Sequence, residues 1–502
     1  MKKSKTDAHQ CLKDANRKTL RLNFVAGDVP ALNPQSLSSA GRGIALGKWL
    51  FEGLTRLNLE GKYELAGAEK VDISSCQTRY TFTLRPNTYS NGDAVIAADY
   101  ERCWKEALAP NSNCLKAHLF YSIKNAENAK KGKVSLNEIG VKALDDYTLF
   151  VELNHPASNF LGLLSLCLFA PFKKDRDEVV FNGPYKVVQR RKDSYLELES
   201  NSFFWDHART SINRVKISMI RDGMTALSLY EQGEIDWIGD PFSWLSSDII
   251  SSEVDKGNFF KGADVIYPFW IYLNTKHPAL SSRLIRRALS CVINRDEIAK
   301  HIFTGDSPLF TPTPHNSRVV NLSDDSVPDG QKLFKQGMEA LSLTKDTFPP
   351  LKLSFCKQAS HTNFAEYLQE VWQTAFGIQV NLEGKEWNTF YADLISGNYQ
   401  MGGYYLSSDY NDPLACLDLL ASENNFSRWQ HSHYQKTIEQ LKRESDPQRK
   451  LQLLNEAESI LQEEFPIIWV LNRVQYHSYP SRLKGLCFDQ RGLPDLRWAY
   501  FE

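Results

Sequence analysis

The chain has 502 residues, too long for one compact core, so two or three lobes are expected. Hydrophobic residues at 42% and charged residues at 24% exclude a wholly disordered chain. Lys plus Arg number 59 and Asp plus Glu 60, so the net charge of −1 leaves no global basic field for nucleic acid or an anionic membrane. Any partner must be recognised locally.

Met1 to Lys18 is polar and has no apolar core, so no signal peptide is expected in the chain as given. Cys11 follows Ala8-His9-Gln10, which lacks the Leu and small residues of a lipoprotein processing site. Gly41-Arg-Gly43-Ile-Ala-Leu-Gly47-Lys48 resembles a phosphate loop but fails its spacing, and Trp49 stands where a magnesium-binding hydroxyl is required. Arg79 to Arg85 alternates Tyr80, Phe82 and Leu84 as a half-buried strand, followed by a turn over Asn87 to Gly92. Ala98 to Leu108 then puts Tyr100, Cys103, Trp104 and Ala107 on one helical face. Further strands are predicted over Asp146 to Leu153 and Ser194 to Leu198. Phe160 to Phe172 is apolar but shorter than the ~20 residues a bilayer crossing needs. It reads as a buried helix or strand pair.

The second half has clearer caps. Leu284 to Ile293 is an apolar-faced helix, and Asn294-Arg-Asp-Glu297 opens the next with a capping box. Ala365 to Phe376 predicts a helix ending at Gly377, before a strand through Ile378, Val380 and Leu382. Asp446-Pro447 starts a long helix to about Glu464, which Pro466 ends. Helix and strand mixed without regular βαβ spacing indicate α/β lobes with mixed sheets.

Nine cysteines without a CxxC pair point to free, buried thiols rather than zinc ribbons or a disulfide scaffold. No GxSxG, HExxH or deaminase signature is present, so nothing marks an enzyme. His431-Ser-His433 offers two imidazoles without a third ligand nearby, which favours an exposed loop over a metal site. In Tyr404-Tyr-Leu-Ser-Ser-Asp409-Tyr-Asn-Asp-Pro413 an aromatic strand delivers Asp409 to a turn. Either Asp409 meets a ligand, or the stretch is an Asx turn and helix cap before Leu414 to Leu420.

Several stretches, in order, resemble the oligopeptide-binding proteins of ABC importers, the oligopeptide/dipeptide type of family 5 extracellular solute-binding proteins. They are Leu50-Phe-Glu-Gly-Leu-Thr-Arg56, Tyr80 to Arg85 with Tyr89-Ser-Asn-Gly-Asp93, Ala98-Asp-Tyr100 and Val141-Lys-Ala-Leu-Asp-Asp-Tyr-Thr-Leu149. Asn182-Gly-Pro-Tyr185, Gly233-Glu-Ile-Asp236, Leu284-Ile-Arg-Arg-Ala-Leu-Ser290, Trp387 and Ser408 to Pro413 continue the series. The resemblance implies an α/β, two-lobed periplasmic-binding-protein clamp of type II, in the large class with an extra inserted domain. One lobe would comprise 19–54, 173–265 and 471–502, with 55–172 inserted, and the other 266–470. Hinges would fall near 266 and 471.

The resemblance also implies roles. Asp409 would pair with a peptide's α-amino group, because an ammonium taken out of water needs a carboxylate. Tyr405, Leu406 and Ser407 would line the peptide, as would Ser39, Ala40 and Gly41 on its other edge. Backbone pairing of this kind gives affinity without reading side chains. From the residues alone, Ser39 to Gly43 reads as a flexible loop. Trp387 would line a pocket, while Trp270 and Tyr272 are weaker candidates that read as core. The basic residues with which family members grip a peptide's carboxylate are replaced by Leu394, Ile395 and Gly403, and the expected tryptophan by Leu406. Arg42 offers a substitute charge, against the plainer reading of a solvated surface arginine.

The expected protein is therefore a periplasmic or cell-surface, membrane-associated carrier. It would capture peptides between its lobes for permease subunits, as a monomer without cofactor, metal or nucleic acid. The alternative is the same fold holding a metal chelate, haem, a modified amino acid or a cell-wall peptide. A peptidase using Asp409 and Asp412, or a surface adhesin, are readings from other classes.

Overall fold

The computed structural model describes residues 19–502 except 30, 39–40, 177, 244, 263–264, 315–325, 407–411, 423–424, 445 and 490. The chain divides into two compact units. Met1–Leu245, Asn258–Ala263 and Tyr476–Glu502 form the first, and Ser246–Gly257 with Asp264–Gln475 the second.

Among the described residues, the first unit carries two four-stranded sheets and several strand pairs. In one sheet Thr19–Asn23 runs parallel to Arg214–Ser218, which pairs antiparallel with Tyr195–Ser200 and through it with Tyr185–Arg191. Leu20, Leu22, Leu196, Leu198, Val215 and Ile217 are its buried alternating residues. The other sheet orders Ala68–Ile73, Arg79–Leu84, Thr148–Glu152 and Val141–Asp145, all antiparallel. Helix Ala97–Leu108 packs beside it with Tyr100, Cys103, Trp104 and Ala107 buried as their spacing predicts. Phe160 to Phe172 forms two short helical turns, Phe160–Leu163 and Cys167–Phe169, and no strand. Its carbonyls meet side chains: Trp104 Nε1 donates to Phe169 O at 2.9 Å.

The run with the look of a phosphate loop is a helix, Gly41–Leu50. Gly43 lies so close to the preceding turn that a Cβ there would stand 2.5 Å from Leu37 O. Behind the helix sit buried charges. Glu52 accepts from Arg497 Nη1 on both oxygens, at 2.9 and 2.7 Å, and Lys48 Nζ donates to Asp489 Oδ2 at 2.6 Å. A buried pair of this kind is costly to form but far costlier to break.

The second unit is built on a sheet whose described strands run in the order Ser307–Pro308, Ile467–Asn472, Pro268–Leu273, Met401–Tyr405, Leu351–Cys356 and Val380–Lys385. Leu351–Cys356 pairs parallel with both Val380–Lys385 and Met401–Tyr405, and the remaining pairs are antiparallel. Every residue of Pro268–Leu273 is buried. Phe269, Ile271 and Leu273 enter one core with Ile285, Leu289, Leu368 and Trp372, while Trp270 and Tyr272 enter another with Leu417, Ile438, Leu453 and Leu461. A strand covered on both faces reads as continuously apolar. Helix caps follow the sequence: Asn294 accepts from Glu297 N at 3.1 Å and Asp446 from Arg449 N at 2.7 Å, and helix Ala359–Phe376 stops at Gly377 (φ +66).

The described cysteines are free, and Cys76 is exposed where burial was expected; it sits in the turn joining Ala68–Ile73 to Arg79–Leu84. No helix among the described residues is long and apolar enough to cross a membrane.

Burial by itself would raise the Asp489 carboxyl, but Lys48, Arg491 and the Leu493 amide outweigh it and hold it at about 2, below its ordinary 3.8. A depressed carboxylate contributes stability that is complete above the ordinary value and lost as pH falls through the folded one. Asp489→Asn should therefore cost about 2 kcal/mol at pH 7 and flatten the acid limb between roughly pH 4 and 2, as read by urea unfolding across that range.

Candidate functional site

The strand Met401–Tyr405 positions the candidate site on the second unit. It carries two glycines where its neighbours carry rings. A Cβ at Gly402 would meet Phe390 at 3.2 Å, and one at Gly403 would meet Phe269 at 2.9 Å. The close approach seats the strand between Pro268–Leu273 and Leu351–Cys356, and Tyr404 and Tyr405 then point to opposite faces.

On one face, Tyr404 joins a cluster of rings. Trp387 opens helix Trp387–Ser396 and stacks on Tyr391 one turn later, with centroids 5.3 Å apart and planes 19° from parallel. Tyr404 meets the Trp387 ring edge-on at 5.7 Å, and Phe426 closes the group at 6.2 Å from both Tyr391 and Tyr404. Trp387 stays 44% and Tyr391 36% exposed, so the cluster is a shelf with open ring surface rather than core. Such a surface suits an aromatic or apolar side chain laid against it.

On the other face, Tyr405 packs edge-on against Phe269 at 4.9 Å, with Phe303 and His361 around it. Its hydroxyl donates to the Asp306 carboxylate, and Asp306 also accepts from Val474 N at 3.0 Å. The residue keeps some solvent contact, yet its hydroxyl end is enclosed, and burial followed by the Asp306 charge pushes the phenol well above its usual range. Burial, reinforced by Arg473, brings the nearby His361 down to about 4, so it is neutral at physiological pH.

Asp409, Ser407, Ser39 and Ala40 lie outside the described residues. Gly41 is exposed and is the first residue of a helix, so Gly41 to Gly43 are helical where an extended pairing segment was expected, and Gly43 lies against Leu37 with no room for a Cβ. Leu406 turns into the core, 5% exposed, and its amide donates to Pro268 O at 2.8 Å, prolonging the ladder inside the sheet. Its amide is thus committed within the unit. Trp270 and Tyr272 are buried core residues. Arg42 is half-buried rather than solvated: Nη2 donates to Asp28 O at 2.9 Å, and burial lowers its pKa. The sequence reading missed Tyr391, Phe426 and Asp306. A four-residue spacing from Trp387 signals Tyr391, but the others meet the site only through the fold.

Two of the three positions expected to hold basic grips are enclosed by packing. Leu394 is fully buried and Gly403 has no room for a side chain, while Ile395 is exposed and its carbonyl accepts from Arg428 Nη2. The histidine pair is likewise local. His431 Nδ1 accepts from Tyr434 N at 3.1 Å to cap its helix, and His433 Nε2 lies 3.0 Å from Glu456. No cluster of three metal-ligating side chains occurs among the described residues. Asp412 accepts from Leu414 N at 2.9 Å and pairs with Lys450, which spends it on the turn before helix Leu414–Ala421 and on an ion pair.

The profile of the bacterial extracellular solute-binding proteins, family 5 Middle, matches residues 62–428. The chain belongs to this family. It is accordingly an extracellular solute-binding protein and not an enzyme. The oligopeptide-binding protein OppA of Bacillus subtilis is 31% identical over 476 residues, covering 90% of this chain and 87% of its own. The dipeptide-binding protein DppE of the same organism is 29% identical over 475 residues, covering 90% and 86%. Among solved structures, the Escherichia coli murein tripeptide binding protein MppA superposes with a TM-score of 0.83 at 24% identity, over 97% of this chain and 99% of its own. Listeria monocytogenes OppA bound to peptide gives 0.79 at 22% over the same shares. The fold is the two-lobed α/β architecture of those proteins.

Because the Phe269 ring occupies the space a side chain would need, Gly403→Arg should not install a carboxylate grip. It should destabilise the second unit by about 1–3 kcal/mol, checked by chemical denaturation.

Proposed function

We propose that this protein is the peptide-capturing component of an ABC importer, delivering unmodified peptides to permease subunits. The observation that carries the reading is the family match together with relatives named for oligopeptide and dipeptide binding over nearly the whole chain. Asp409 is the proposed partner of the peptide's α-amino group, with Tyr405 and Ser407 flanking the peptide backbone and Ser39 and Ala40 on its far edge. The Trp387–Tyr391–Tyr404 shelf supports a site that accepts a bulky apolar side chain. In the proposed partition, 19–54, 173–265 and 471–502 make one lobe with 55–172 inserted, and 266–470 makes the other; the compact units depart from it by placing Ser246–Gly257 and 471–475 in the second. The self-contained sheet from Ala68 to Glu152 is consistent with that insertion. The protein would act as a monomer held at the membrane surface.

Buried Leu394 and side-chain-free Gly403 favour ligands whose C-terminus goes unread, so a range of peptide lengths is expected. Asp409→Ala should weaken a free-amine peptide by roughly 2–5 kcal/mol, as should N-acetylation of the peptide on the unaltered protein. C-terminal amidation should leave affinity within about twofold, well under 1 kcal/mol. Calorimetric titration of one peptide in its free, acetylated and amidated forms checks all three. Equal binding of the acetylated form would contradict the amine anchor.

A further inference from the structure

The long segment of the second unit begins at Asp264 and ends at Gln475, and the two ends run side by side within that unit. Asn472 Nδ2 donates to Val265 O at 2.9 Å and its Oδ1 accepts from Tyr267 N at 3.0 Å, while Arg473 N donates to Tyr267 O at 3.0 Å. Asp306 reaches this junction from the turn after helix Arg295–His301. One of its oxygens accepts from Val474 N at 3.0 Å and the other from the Tyr405 hydroxyl. Tyr405 is itself packed on the junction: its ring lies 5.6 Å from that of Tyr267, and the Arg473 guanidinium stands 5.6 Å from its centroid.

One carboxylate thus bridges two places in the chain, beside the contact that Arg473 makes with the Tyr405 ring. Tyr405 is itself one of the residues proposed to flank the peptide. The backbone at Val474 is the last stretch of the second unit before the chain passes to the first. A carboxylate that accepts from the phenol of one segment and the amide of another makes the two order together, because charge-assisted hydrogen bonds are strong and directional.

We propose that Asp306 is a positioning residue for peptide capture, tying the strand end at Tyr405 to the exit segment 472–475 so that ordering of one orders the other. The link rests on the peptide-binding reading only for its functional half. Ligand engaged at Tyr405 steadies Val474 through Asp306, and by reciprocity a steadied exit segment favours the ligand.

Hydrogen exchange of the full chain, followed by mass spectrometry, tests both halves. In ligand-free protein, Tyr405→Phe should accelerate exchange over 472–475, although Tyr405 makes no bond to the Val474 amide. Asp306→Asn should accelerate it too, and the double variant no further than the stronger single one. A pool of free-amine peptides should slow exchange over 472–475 in the unaltered protein but not in Asp306→Asn, whose peptide affinity should fall by about 5–150-fold, the span of ordinary coupling energies. Unchanged exchange over 472–475 in Tyr405→Phe would overturn the proposal. So would Asp306→Asn that binds peptide as tightly as the unaltered protein. If the unaltered protein binds no peptide in the pool, the functional reading fails, and exchange in the ligand-free variants still decides the link. If Asp306→Asn does not fold, Tyr405→Phe, which removes one hydroxyl, carries both measurements.

Discussion

Two glycines under two rings set the geometry on which the candidate site depends. Gly402 and Gly403 let Met401–Tyr405 lie against Phe390 and Phe269, wedged between a strand buried on both faces and a parallel neighbour. Register then decides everything that follows along the chain. Tyr404 falls on the side of Trp387 and Phe426, and Tyr405 on the side of Phe269 and Asp306. A side chain at either glycine would push the strand off its partners, and a one-residue slip would exchange the two faces. The same close packing explains why a basic residue cannot stand at Gly403, so ligand grip and sheet packing are set by a single contact.

Two of the stretches that mark the family carry buried charges held inside the fold. Glu52 of the Leu50-to-Arg56 motif is fully buried and held by Arg497 from the chain's far end. Arg286 of the Leu284-to-Ser290 motif is also buried, donating to the carbonyls of Phe465, Leu280 and Ser281, and so ties the end of helix Pro447–Glu464 to its own helix. Burial draws its pKa down to about 10, still far above physiological pH. These are charges whose removal would strand a partner in the interior. Their contacts serve the architecture.

Local chemistry was therefore legible and long-range chemistry was not. The caps at Asn294 and Asp446, the stop at Gly377 and the faces of Ala97–Leu108 follow from rules that act within a few residues, and the structure has them. The helix at Gly41 escaped because its opening glycines argue against helix, while the close approach of Leu37 that needs a glycine at 43 is visible only in the fold. Trp387 could be singled out by likeness. Phe426 and Asp306 could not, since they reach Tyr404 and Tyr405 from about 22 and 99 residues away and no periodicity connects them. Asp409, the carboxylate on which the amine anchor turns, lies outside the described residues and rests on resemblance and electrostatic reasoning together.

A carrier holds its peptides intact. Native mass spectrometry of the protein as purified, with gentle activation to release whatever is bound, reads this out. Released masses should fragment as unmodified peptides of more than one length. A single non-peptide mass, or masses that fragment as a haem or metal chelate, would contradict the peptide reading.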